Sequence, residues 1–97
     1  MAAATLVGNQ AQTVTLSSTV GQRRRVVMPS GGFRFLRVYS DSELYIEHID
    51  AADESDIGDY IETIPGGIET VRYIGRGEIA LSPSSAGQEV ELTAVQQ

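Results

Sequence analysis

Apolar residues recur at every second position through much of this chain. Thr13-Val14-Thr15-Leu16, Glu78-Ile79-Ala80-Leu81 and Glu89-Val90-Glu91-Leu92-Thr93-Ala94 each alternate polar with apolar. This period turns Val14/Leu16, Ile79/Leu81 and Val90/Leu92/Ala94 toward a core and sends acids and threonines outward. Arg25 to Met28, Phe33 to Tyr39, Leu44 to Ile49, Tyr60 to Ile64 and Ile68 to Ile74 are rich in branched and aromatic residues, which strands favour. In Phe33-Arg34-Phe35-Leu36-Arg37-Val38-Tyr39 both faces hold apolar groups, as in a central strand or one covered by another subunit.

The breaks between these segments agree with strands. Pro29-Ser30-Gly31-Gly32 separates two of them, and Ser40-Asp41-Ser42 reads as the turn of a hairpin. Ile64-Pro65-Gly66-Gly67 has Pro and Gly where a type II turn wants them. Gly75-Arg76-Gly77 is a further tight turn, and Ser82 to Gly87 a longer loop. About eight short strands at intervals of roughly 8–12 residues indicate one antiparallel β-sandwich, jelly-roll-like or immunoglobulin-like, of about seven to nine strands. Its core is expected to include Val14, Leu16, Leu36, Val38, Leu44, Ile46, Ile79, Leu81, Val90 and Leu92. Helix is expected only as one turn near Ala51–Ser55. Residues 1–4 and 96–97 are expected to fray unless a partner orders them.

Length makes this one domain, residues 1–97. A chain of this mass buries roughly 64% of its extended surface, a thin core that neighbouring subunits would supplement. There is no cysteine, hence no disulfide, thiolate nucleophile or cysteine-held zinc. The apolar stretch Ala2 to Val7 is too short for a signal peptide. No run approaches the ~20 apolar residues of a membrane span.

Charge is sorted by position. The first forty residues hold Arg23, Arg24, Arg25, Arg34 and Arg37 and no acid; the remainder holds all 13 acids with only Arg72 and Arg76. Such sorting fits a protein whose work is docking. A net charge of −6 opposes nucleic-acid binding, in which phosphate attraction dominates. Alternation sends Arg23 and Arg25 one way and Arg24 the other, so these arginines are expected to pair with acids of the second half, in this chain or a neighbouring copy.

The candidate chemistry is sparse. Asp50, Asp53, Asp56 and Asp59 recur every third residue on an expected loop and offer hard oxygen ligands for calcium. The EF-hand spacing is absent, and a solvated acidic loop or a contact loop for a basic partner accounts for them as well. His48, the only histidine, shares a strand face with Leu44 and Ile46, and no G-x-S-x-G elbow accompanies it. Tyr39, Tyr45, Tyr60 and Tyr73 with Phe33 and Phe35 are candidates for a sugar platform, but tyrosines on strands more often line a core rim or a subunit interface. No catalytic residue, metal or cofactor is assigned.

The order of these pieces resembles small all-β virion proteins of tailed bacteriophages. Phe35-Leu36-Arg37-Val38-Tyr39 with Leu44-Tyr45-Ile46 carries the resemblance. It continues through Ile64-Pro65-Gly66-Gly67 into Glu69-Thr70-Val71-Arg72-Tyr73, then Gly77 to Leu81 and Val90 to Ala94. It implies a non-enzymatic capsid decoration (cement) protein or a small head or tail component, made in the host cytoplasm. It would bind the major capsid protein or another virion protein, often as a trimer. The leading alternative is a ligand- or carbohydrate-binding module, and a head-closure or tail subunit is the next. The expected contact residues are Arg23, Arg25, Phe33, Phe35, Arg37, Asp50, Asp53, Asp56 and Asp59. Arginines of one copy would meet carboxylates of the next, with neither nucleic acid nor membrane involved.

Overall fold

A computed structural model describes residues 3–16, 23–49, 57–74 and 78–96, with side chains for all of these except 48, 49 and 57–61. Among the described residues the chain is all-β, with no helix. The strands are β1 (Ala4–Thr5), β2 (Gln12–Thr15), β3 (Arg24–Val27), β4 (Phe35–Tyr39), β5 (Leu44–Ile49), β6 (Ile57–Ile64), β7 (Thr70–Tyr73), β8 (Glu78–Pro83) and β9 (Glu89–Val95). They form a five-stranded sheet of order β1-β3-β8-β5-β6 and a four-stranded sheet of order β2-β9-β4-β7. Every pairing between these strands is antiparallel except β1 with β3.

The two sheets contribute to one hydrophobic cluster. All the residues expected in the core are buried there, from Val14 and Leu16 on β2 and its end to Val90 and Leu92 on β9. Leu6, Val26, Met28, Ile64, Ile74 and Ala94 complete it. β8 reads as one-sided in sequence but is buried on both faces. Ala80 is fully buried and Ser82 nearly so, because β8 lies in the middle of the wider sheet between β3 and β5.

The link through Ser40-Asp41-Ser42 is not a hairpin turn. β4 belongs to the four-stranded sheet and β5 to the five-stranded one, so the chain crosses between sheets there. Most successive strands alternate sheets in this way, and only β5 and β6 are both consecutive and paired. The physical reason is polar anchoring at the corner. Ser40 is buried and its hydroxyl donates to the Glu89 carbonyl at 3.0 Å. The buried Gln88 amide donates to Ser40 Oγ (2.8 Å), Ser42 O (2.8 Å) and Glu43 O (3.1 Å) and accepts from Ser84 N at 3.0 Å.

The turn after β6 completes this end. Gly67 N donates to Ser40 O at 2.8 Å. The left-handed corner is Gly67, with φ of 77°, rather than Gly66, the residue directly after Pro65. Gly66 is needed for another reason. A Cβ there would lie 2.6 Å from the Ser42 carbonyl carbon and 2.7 Å from Asp41 O.

β1 is absent from the expected strands, since Ala4-Thr5 has little strand character. It pairs parallel with β3, Ala4 opposite Val26. At the other terminus Gln96 Nε2 donates to Gly31 O at 2.6 Å. β6 begins at Ile57, three residues before the expected start, so Asp59 lies in a strand rather than a loop. Asp50, Asp53, Asp56, the helical turn expected at 51–55 and the turn at 75–77 lie outside the described residues. His48 lies in β5 opposite Ile79.

Candidate docking face

The arginines settle first, because alternation decides which way each one points. Arg24 stands opposite Leu81 in the ladder. It reaches across to β2, where Nη1 donates to the Thr15 carbonyl at 2.6 Å, while its buried Nε has no partner among the described residues. Arg23 and Arg25 take the other face, as alternation requires. Arg23 Nε lies 3.8 Å from Glu47 Oε2, and Arg25 Nε donates to Glu78 Oε2 at 2.9 Å. Both acids are largely withdrawn from solvent, at 10% and 16% side-chain exposure. Over Ala80 the outer side of the five-stranded sheet is thus covered, among the described residues, by matched charges.

On the four-stranded sheet Arg37 lies 3.3 Å from Glu69, an exposed pair. Arg72 stands opposite Leu36 and bonds to Glu62, which stands opposite Ile46. That ion pair joins edge strands β7 and β6 and closes one side of the gap between sheets, as Arg24 with Thr15 closes the other. Arg72 Nη1 also donates to Val71 O at 3.1 Å, covering a carbonyl of the edge strand. Every expected arginine contact (Arg23, Arg25, Arg37) is therefore made within the chain, with an acid from its second half. Asp59 lies in β6 without a described side chain, and Asp50, Asp53 and Asp56 lie outside the described residues.

The two phenylalanines part company. Phe33 packs against the core cluster beneath Gly8, where a Cβ would meet its ring at 2.2 Å. Phe35 is on the outer face of β4, edge-on to Tyr73 of β7 with ring centroids 5.3 Å apart. Around them the outer face of this sheet is apolar and open. Tyr73 is 59% exposed, Val71 43% and Tyr39 38%. The ladder puts Phe35 between Tyr73 and Val95, and Arg37 between Val71 and Thr93.

The same face turns acidic toward β2. Glu91 stands between Tyr39 and Thr13, and Glu89 opposite Thr15. The Tyr39 hydroxyl donates to Asp41 Oδ1 at 3.3 Å. A shallow depression of about 130 Å³ is lined there by Thr13, Tyr39, Asp41, Glu89 and Glu91. Neither Glu89 nor Glu91 meets an arginine among the described residues.

Of the residues on this face, the sequence pointed to Phe35 and Arg37 as expected contacts and to Tyr39 and Tyr73 as part of the aromatic set, but not to Val71, Glu89 or Glu91. The signal was the alternation of Thr70-Val71-Arg72-Tyr73, in which the apolar residues face out and the charged one in. The described residues contain no group of three or more acids or histidines poised to hold a metal. Compared with known proteins, the chain matches no family model, no curated protein and no solved structure.

Proposed function

We propose that this chain is a structural docking protein without catalytic activity, a decoration (cement) subunit of a tailed-phage virion. It would attach to the capsid shell through the outer face of its four-stranded sheet. The observation that carries the reading is the open aromatic and aliphatic surface of Phe35, Val71, Tyr73 and Tyr39. Exposed aromatic and aliphatic side chains gathered on one sheet face of a small chain, here on either side of the Arg37–Glu69 pair, support an interaction site.

The strand order supports a jelly roll as the finer fold. Leaving β1 aside as an added edge strand, the sheets are β2-β9-β4-β7 and β3-β8-β5-β6. Two four-stranded sheets joined by crossings at nearly every link are the pattern of two Greek keys, which viral capsid and lectin domains share. A trimer held by arginine–carboxylate pairs between copies would have to break Arg23, Arg25 or Arg37 out of pairs they already make. The apolar face is the better carrier of affinity.

The second reading, a carbohydrate-binding module, is favoured by the depression where Tyr39 meets Asp41, Glu89 and Glu91. A head-closure or tail subunit would use the same apolar face on a different virion partner. Co-sedimentation separates these readings. A cement protein is expected to pellet with purified capsids and raise their resistance to heat. Capsids that purify without the chain, together with Tyr39-dependent signals on a glycan array, would reverse the order.

A further inference from the structure

We propose that the outer face of the four-stranded sheet receives an extended, basic segment of a larger protein, not a second copy of this chain. This rests on the docking reading above and names its partner. Two features of the face define the occupant. Toward the Phe35 end of the strands it offers Phe35, Val71, Tyr73 and Val95; toward the other end it offers Glu89 and Glu91 beside Tyr39, with the Arg37–Glu69 pair between the two zones. Same-face residues along a strand are spaced by about 7 Å, so the span from Val95 to Glu89 is about 20 Å, the length of about six extended residues. An extended segment lying along the strands, apolar toward the Phe35 end and carrying lysines or arginines toward the Glu89 end, would match both zones.

Charge decides between this partner and a second copy. The face carries Asp41, Glu69, Glu89 and Glu91 against Arg37, and Arg37 is already paired with Glu69. In a two-fold contact the same surface serves both partners. Glu89 and Glu91 would then meet either each other or the apolar half of the other copy. Either arrangement desolvates carboxylates without supplying a cation, which is unfavourable. A basic segment supplies that cation, and the exposed ring of Tyr39 adds a surface on which a cationic side chain can lie.

The test uses the full chain and two synthetic peptides of about eight residues, one of valines followed by lysines, the other of valines followed by glutamates. Amide chemical shifts of the isotope-labelled chain report where each peptide binds. The lysine peptide is expected to move amides of β4, β7 and β9 and to bind more weakly as salt rises. The double variant Glu89→Lys with Glu91→Lys should weaken it about tenfold and should gain binding of the glutamate peptide. Tyr73→Ser should weaken both peptides. All three substitutions alter exposed side chains, and unchanged circular dichroism verifies the fold.

Equal binding of both peptides to the wild type, shifts confined to another surface, or no binding at all would overturn the proposal. So would a dimer of the free chain that Tyr73→Ser dissolves, which would make the occupant a second copy, or a Tyr39-dependent glycan signal on this face. Capsid co-sedimentation keeps the two conclusions apart. If Tyr73→Ser abolishes pelleting while the double charge reversal does not, the docking function stands and the basic partner falls. If the peptides behave as expected and the wild type does not pellet with capsids, the virion role falls and the face stands.

Discussion

On the five-stranded sheet, Arg25 stands opposite Ala80 and bonds to Glu78, and Arg23 lies beside Glu47. On the four-stranded sheet, Val71 and Tyr73 stand in solvent and Glu89 and Glu91 have no arginine beside them among the described residues. Both faces are built on alternating strands of one small chain, and both bear carboxylates. The first face is finished internally, since its arginines come from the first half of the chain and neutralise acids of the second. On the second face, among the described residues, Arg37 pairs with Glu69, and aromatic surface is left uncovered. Sorted charge along the sequence therefore serves the fold on one side and leaves an unsatisfied surface on the other. Among the described residues, Arg23, Arg25, Arg37 and Arg72 all pair with acids of the same chain, and Glu89 and Glu91 are left without an arginine.

The strongest way to break this comparison is to place the same charge on each face. Ala80→Asp puts a carboxylate at a fully buried position next to strands bearing Glu47 and Glu78. Arg25 stands opposite but is already bonded to Glu78, and Glu47 stands on the other side, so the new carboxylate is under-compensated and should cost about 3 kcal/mol or prevent folding. Val71→Asp puts the same group on the open face and should stay within about 1 kcal/mol, the span of strand preference. Urea denaturation of the two variants measures both. Equal losses would mean that the faces do not differ in closure.

A second comparison sets the arginines against each other. Arg25→Ala leaves Glu78, at 16% side-chain exposure, without its bonded partner and should cost about 1–2 kcal/mol. Arg37→Ala breaks a pair whose members are about half exposed, and should cost about 0–1 kcal/mol at low salt and less at high salt. Thermal denaturation at two ionic strengths separates them. A salt-insensitive Arg25 effect beside a salt-sensitive Arg37 effect is the expected outcome.

How much of this was legible in the sequence depends on whether a strand obeys the usual alternation. β2 and β9 did, because Thr13, Thr15, Glu89 and Glu91 mark the solvent side and leave Val14, Val90 and Leu92 for the core. β7 did not. At a sheet edge Arg72 can turn inward and still reach Glu62, so Val71 and Tyr73 turn outward. Period two gives the two faces of a strand but not which one is covered, and the open face of the four-stranded sheet was hidden by that ambiguity. Ser40-Asp41-Ser42 failed as a hairpin for a related reason. A short polar link looks alike whether the strands it joins pair or part, and the deciding contact, Gln88 with Ser40 and Ser42, comes from 46 or more residues away. The alternation of Arg23, Arg24 and Arg25 was readable, because a run of one residue type shows its faces by position alone.

The smallest stability effect belongs to the most informative variant. Glu89→Lys with Glu91→Lys raises the formal net charge of −6 by four and removes two neighbouring like charges from one face. Neither glutamate has an arginine to lose among the described residues, and their backbone pairing with Thr15 and Thr13 is unaffected by the side chain. Reduced self-repulsion should leave the stability unchanged or raise it slightly, by no more than about 0.5 kcal/mol, the range of an ordinary surface substitution. A loss beyond that range in a melting experiment would show that Glu89 and Glu91 belong to the finished architecture, as Glu47 and Glu78 do. Their charge would then be structural, and the contrast between a satisfied face and an unsatisfied one would fail where it is drawn most sharply.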